Sequence, residues 1–144
     1  MKIVIAELVD IFKIEPIFNL YRNFYGLDTD RDSALNFLRQ RLEKNESIIF
    51  YVQKGPDILG FVQVFRTFSS ASLTKVLILN DLYVIESSRQ QGVASALIQK
   101  VLDYGRKEQC SRVSLSTAHD NPAQELYEKI GFRESTFKFY NYTL

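Results

Sequence analysis

The stretch 75–106 constrains the fold most. It opens with KVLILNDLYV, a strand pattern that is apolar on both faces for most of its length. Such a strand is usually central in a sheet, with helices covering both sides. After the polar segment IESSRQQG, Ala94, Leu97, Ile98, Val101 and Leu102 recur at i, i+3, i+4, i+7 and i+8. That rhythm predicts an amphipathic helix from about Gly92 to Arg106. A buried strand leading through a short polar loop into such a helix marks a mixed α/β domain.

The flanking sequence fits that class. KIVIAEL reads as a first strand. KIEPIFNLYRNFYG places Ile14, Ile17, Phe18, Tyr21 and Tyr25 on one helical face, with Gly26 as the stop. Pro16 is expected near that helix's first turn, because an interior proline costs about 3 kcal/mol. TDRDSALNFLRQRLEKN is a second helix with Ala34, Leu35, Leu38 and Leu42 apolar. SIIFYVQ and ILGFVQVF are strands joined by the turn KGPD, and RVSLST is a further strand. In NPAQELYEKIGF, Asn121 can cap a helix, Pro122 suits its first position, Gln124 can close a capping box and Gly131 fits a left-handed stop. FRESTFKFYNYTL reads as one or two closing strands. The predicted order is β-α-α-β-β-β-α-β-α-β-β. Without linkers, repeats or low-complexity segments, residues 1–144 read as one domain.

Composition narrows the function classes. A formal net charge of +1 gives no strongly basic footprint for nucleic acid. One cysteine, Cys110, excludes an internal disulfide framework and suits a reducing cytosol, so a cytoplasmic location is expected. One Cys and one His give no zinc spacing, and no metal is expected. Acidic residues interrupt MKIVIAELVD, so it does not read as a signal peptide, and no apolar run reaches the roughly 18 residues of a membrane span.

The loop before the helix has two readings. Unpaired N–H groups at a helix start, together with the helix dipole, attract anions. Gly92 lets backbone approach a phosphate closely, and Arg89 adds a positive charge. On the other reading Ser88 caps the helix, Gln91 completes a capping box and Arg89 is solvated. The loop matches neither a P-loop nor a dinucleotide fingerprint.

At this loop the chain resembles the GCN5-related N-acetyltransferases. Their acetyl-CoA signature, Q/R-x-x-G-x-G/A after a central strand, is matched by Arg89, Gly92 and Ala94. A second match lies about 30 residues on, in DNPAQELYEKIGF, where Ala123, Leu126, Tyr127, Gly131 and Phe132 correspond to that family's last segment. The chain departs from the family's frequent Gly or Arg at Gln90, and has Ala94 at the sixth position.

The resemblance implies a single-domain fold with a mixed, mostly antiparallel sheet of about seven strands, four helices and splayed central strands. It implies acetyl-CoA as donor, held by Leu82, Tyr83, Val84, Arg89, Gln90, Gln91, Gly92, Val93, Ala94 and Asn121. Backbone N–H groups of Leu82–Val84 would act as preorganised donors to the thioester oxygen. Tyr127 would protonate the leaving thiolate, although on spacing alone it packs with Ala123, Leu126 and Ile130.

Asp81, a carboxylate in an apolar strand, has two readings. It faces the acceptor, attracts a cationic amine and helps deprotonate it, or it pairs with a nearby Arg or a backbone donor at a strand irregularity. Glu86 is a weaker candidate for that role. Tyr21, Arg22 and Tyr25 are expected in the acceptor wall, with FRTFSSASL as a further lining loop. His119 is a possible base or simply a hydrogen-bonding loop residue. Cys110 would lie roughly 22 Å from the phosphate end, too far for a covalent route. The expected acceptor is the primary amine of a small cation: a diamine, a polyamine or an amino-acid-like molecule. A protein-lysine or N-terminal acetyltransferase and a non-catalytic acetyl-CoA sensor are the alternatives. A homodimer is expected, with neither nucleic acid nor membrane as partner.

Overall fold

The computed structural model describes all 144 residues. Five strands form one sheet in the order β1-β2-β3-β4-β5: β1 (Lys2–Ile5), β2 (Ser47–Lys54), β3 (Asp57–Ser69), β4 (Thr74–Val84) and β5 (Val113–Ser114). The first three pairings are antiparallel and β4–β5 is parallel. Four helices cover the sheet: α1 (Ile11–Phe24), α2 (Arg31–Glu43), α3 (Val93–Lys107) and α4 (Ala123–Ile130). None is long and apolar enough to cross a membrane.

The sheet separates two apolar cores. On one side α1 and α2 bury Ile14, Phe18 and Leu38 against Tyr51 and Phe61. On the other, α3 buries Leu97, Ile98 and Val101 against Phe50, Val62 and Leu79. The strands of the middle sheet are therefore apolar on both faces, as two-sided burial requires.

The architecture is the mixed α/β domain read from the sequence, with two differences in the sheet. It has five strands rather than about seven. The closing stretch FRESTFKFYNYTL forms no strand, and beyond Phe132 no residue makes a backbone–backbone hydrogen bond. RVSLST pairs only at Leu77–Val113 and Ile78–Ser114. From Leu115 onward the chain leaves β4, so the sheet opens there.

Local punctuation also differs. A 3₁₀ turn at Leu8–Asp10 feeds straight into α1, so Pro16 lies inside the helix rather than in its first turn. Asn121 Oδ1 accepts from the Ala123 N–H at 2.9 Å, but Gln124 bonds the Ala118 and His119 carbonyls instead of closing a box. FRTFSSASL belongs to the end of β3 and the hairpin turn to β4, away from the opening in the sheet.

One irregularity in β4 decides which of its side chains face which core. Gln63 pairs with Asp81 but Val64 pairs with Leu79, so Asn80 is an extra residue in β4. Such a bulge shifts the pleat by one residue. Before it, Leu77 and Leu79 face the α3 core. After it, Leu82 and Val84 face α3, while Asp81 and Tyr83 turn to the α1 side, opposite Gln63 and Phe61.

Candidate functional site

Where β4 parts from β5 a cleft of about 460 Å³ opens. One wall is the end of β4 and another is the strand extension Leu115–Thr117. The start of α3 closes one end, α4 lies alongside, and the end of α1 supplies the remaining wall.

The α3 end is built for an anion. Gly92 sits at φ +81° just before the helix, a backbone state that glycine adopts without strain. A Cβ on Gly92 would meet nothing within 4 Å, so the space beside it is open. The first helical bond runs from the Ala96 N–H to the Gly92 carbonyl, which leaves the N–H groups of Val93, Ala94 and Ser95 without helical partners. Gln90 is also left-handed, at φ +59°.

Arg89 is not a free solvated side chain. Its Nε donates to the Val84 carbonyl at 2.9 Å, and its guanidinium lies 5.5 Å from the Tyr83 ring centroid. Ser88 is buried and does not cap α3. Gln91 Nε2 donates to the Ser87 carbonyl, and its side chain lies outside the cleft.

The middle of the cleft offers backbone donors. Ile85 donates its N–H to the Leu59 carbonyl on β3. Strand alternation then points the Tyr83 N–H to β3 as well, and turns those of Leu82 and Val84 towards the opening. The main-chain donors expected over Leu82–Val84 therefore reduce to two. Tyr127 stands across from them on α4. Its ring packs edge-on against Phe132 at 5.9 Å, and its hydroxyl makes no protein hydrogen bond. Burial, with Tyr25 adding to it, raises the Tyr127 pKa, so the hydroxyl keeps its proton.

The far end is aromatic. Tyr21 and Tyr25 stack edge-on at 5.1 Å, Phe24 meets Tyr25 at 5.3 Å, and Phe24 faces Tyr83 at 6.3 Å. Arg22 points elsewhere, bonded to Asn19 Oδ1 and the Asp28 carbonyl. Asp81 lies behind this wall rather than in it. It is 2 % exposed and accepts from Gln63 Nε2 and Asn80 Nδ2, both at 2.6 Å. Asp81 does sit at a strand irregularity, but its partners are side-chain amides and not the Arg or backbone donor expected from sequence. The Tyr21 hydroxyl donates to the Asn80 carbonyl at 3.3 Å and sits between the carboxylate and the cleft. Burial raises the Asp81 pKa more than its amide and hydroxyl partners lower it. Burial and the neighbouring Asp81 together hold the Tyr21 hydroxyl protonated.

The cleft thus gathers Tyr21, Tyr25, Leu82, Tyr83, Val84, Arg89, Gln90, Gly92, Val93, Ala94, Asn121 and Tyr127. Asp81, Arg22 and Gln91 lie outside its lining, as do Glu86, Cys110 and His119. Arg89 is the one charged side chain that lines it. Sequence reasoning missed Phe24, Ser95 and Leu115–Thr117. Phe24 follows Tyr21 by one helical turn and could have been found. The role of Leu115–Thr117 depends on the sheet opening, which no local pattern records.

The chain resembles known proteins over most of its length. Residues 14–132 match the model of the acetyltransferase (GNAT) family. An uncharacterized N-acetyltransferase of Bacillus subtilis, YhfO, is 38 % identical over 132 residues, covering 91 % of this chain and 89 % of that one. A probable acetyltransferase of Haemophilus influenzae is 32 % identical over 134 residues, covering 92 % and 90 %. The crystal structure of a probable acetyltransferase superposes with a TM-score of 0.91 at 43 % identity, covering 100 % of this chain and 97 % of that one.

Proposed function

The chain belongs to the GNAT family of acetyltransferases, and on that premise we propose that it moves an acetyl group from acetyl-CoA directly to the primary amine of a small cationic molecule. The observation that carries this reading is the cleft between β4 and β5. It has an anion cradle at one end, two free backbone donors and a protonated tyrosine in the middle, and an aromatic wall at the other end.

The residues fit the donor. The open space beside Gly92 and the free N–H groups of Val93, Ala94 and Ser95 would hold the pyrophosphate. Arg89, fixed through Val84, supplies the positive charge, with Gln90 and Asn121 at the rim. The N–H groups of Leu82 and Val84 point to where a thioester carbonyl would develop charge. Bound acetyl-CoA supplies an activated acetyl group whose transfer to a neutral amine releases a thiolate. Tyr127 donates its proton to that sulfur.

An alkylamine arrives charged, since its pKa lies near 10. Tyr21, whose hydroxyl stays protonated, is placed to orient the amine through its oxygen, and the ammonium loses its proton to water before attack. Asp81 therefore acts through Tyr21 and not by contact with the amine. Tyr21, Phe24, Tyr25 and Tyr83 offer ring faces to a cation. The packing of these rings at one end of the cleft favours a small acceptor over a long peptide.

The test is acetyl-CoA consumption across diamines, polyamines, amino acids, aminoglycosides and a peptide pool, with calorimetry of CoA in parallel. Turnover with small cationic amines is expected. Turnover with peptides alone, or CoA binding without any turnover, overturns the reading. Gly92→Glu places a carboxylate in the cradle. It is expected to weaken CoA binding at least tenfold, about 1.4 kcal/mol. Unchanged affinity in the folded variant removes the cradle.

A further inference from the structure

A second hollow lies at the start of β2. β1 pairs β2 only over Phe50–Gln53, and the Ala6 N–H bond to the Ile49 carbonyl, at 2.8 Å, is the last along that edge. The Arg66 N–H donates to the Glu46 carbonyl at 3.0 Å, so the main chain of Glu46 faces β3. Strand alternation turns the N–H and carbonyl of Ser47 the other way, to the edge that β1 has left.

That edge holds a hollow of about 260 Å³. Ile5, Ala6, Leu8, Leu42 and Ile48 give it apolar sides, and Tyr104 joins them from α3. It shares no residue with the cleft. Its volume falls just below the roughly 300–1,000 Å³ of sites for drug-sized ligands, so a fitting occupant is small.

The polar groups here are donors in need of an acceptor. Arg66 Nη2 donates to Asn45 Oδ1 at 3.3 Å and to the Tyr104 hydroxyl at 3.0 Å, and the guanidinium lies 6.0 Å from the Tyr104 ring centroid. These contacts hold the cation in place without neutralising it. Arg66 takes part in no ion pair, and the nearby Glu46 carboxylate is taken by Arg41. Arg66 Nε is buried without an acceptor, and so is the hydroxyl of Ser47, a residue 4 % exposed. Buried groups left unpaired cost free energy that a ligand can recover. Glu43 also lines the hollow and is exposed.

We propose that this hollow binds a small aliphatic carboxylate. Arg66 and Ser47 hold its charge, and its carbon chain lies against Ile5, Leu42 and Ile48. The apolar sides disfavour a bare inorganic anion, which buries no apolar surface against them. Two sources share this chemistry: a branched fatty acid, and a branched amino acid whose ammonium meets Glu43.

The test is an NMR titration of the whole chain, with affinity read from the Ser47 amide. The probes are 4-methylpentanoate, L-leucine, L-leucinamide and inorganic phosphate. At least one of the two carboxylates is expected to bind with a Kd of about 1 mM or tighter. Tighter binding of leucine assigns the site to an amino acid, and tighter binding of 4-methylpentanoate to a fatty acid. Leucinamide and phosphate are expected to be at least about tenfold weaker at Ser47. Arg66→Gln should weaken the carboxylate at least about tenfold and leave CoA affinity unchanged. If that variant does not fold, Ala6→Leu, which fills the hollow and keeps Arg66, should have the same effect. Leucinamide or phosphate binding as tightly as the carboxylate overturns the proposal. So does a Ser47 amide that no carboxylate moves at about 10 mM, or full affinity in the folded variant.

Discussion

Asp81 takes its two short hydrogen bonds from neutral amides, Gln63 and Asn80, and has no cation beside it. Burial therefore raises its pKa. A carboxyl whose folded pKa lies above its unfolded value of 3.8 contributes most stability below that value, and loses the contribution as pH rises through the folded pKa. Gln63 adds a second clue, because its Oε1 is buried and unpartnered. In Asp81→Asn, a half-turn of the Gln63 amide would let Oε1 accept from the new Nδ2. Urea denaturation at pH 7 is expected to find this variant at least as stable as the parent, without the parent's decline above about pH 4. A loss of about 3 kcal/mol or more would show instead that an ionised carboxylate holds this part of the fold. Tyr127 is tested separately. Tyr127→Phe keeps the ring against Phe132 and removes only the hydroxyl. Loss of a general acid lowers kcat by about 10²–10⁴, and the low end is expected because a thiolate already leaves readily. The CoA affinity should stay unchanged, and parental turnover would make Tyr127 a packing residue.

At the scale of elements, β3, β4 and α3 meet at Gly60. A Cβ there would lie 3.0 Å from the Tyr83 carbonyl oxygen, 3.0 Å from Val93 Cγ1 and 3.3 Å from Val84 Cγ2. Gly60→Ala therefore pushes β4 and the first turn of α3 apart. Overpacking of this kind costs about 1–3 kcal/mol. Because Tyr83, Val84 and Val93 also line the cleft, the variant should lose CoA affinity as well as stability, measured by calorimetry beside a urea titration. Stability lost with full affinity would mean that the cradle is independent of β3. A glycine inside a strand signals close backbone approach, so ILGFVQVF held this information. The helices were legible because the 3.6-residue rhythm of Leu97, Ile98 and Val101 follows from one-sided burial. The bulge at Asn80 was legible only as one of two readings of Asp81, since polar NDL in an apolar strand marks an oddity without saying that the pleat shifts. The charge of Asp81 is plain in the sequence, while the direction of its side chain is set by that bulge. FKFYNYTL has the composition of a strand, but pairing needs an edge, and that edge lies in no local pattern.

Across the whole molecule, the cleft is a place where both cores contribute to a single surface. Tyr21, Phe24 and Tyr25 come from the α1 side of the sheet, and Val93, Leu126 and Tyr127 from the α3 side. The link between the sides is the end of β4, paired on one edge only. A ligand spanning the cleft would tie α1, α3, α4 and the open strand together, so it should stabilise the fold as a unit. A ligand that binds only the folded state, at about 100 times its Kd, adds about 2.7 kcal/mol. For a domain of this size that raises Tm on the order of 5–10 °C. Scanning calorimetry with and without saturating CoA is expected to show that rise as a shift of one transition. Gly92→Glu, with binding tenfold weaker, should cut the shift to about half or less at the same CoA concentration. Two transitions, of which CoA moves only one, would show that the cleft couples to one core alone, and would confine the ligand's reach to α3 and the strand that precedes it.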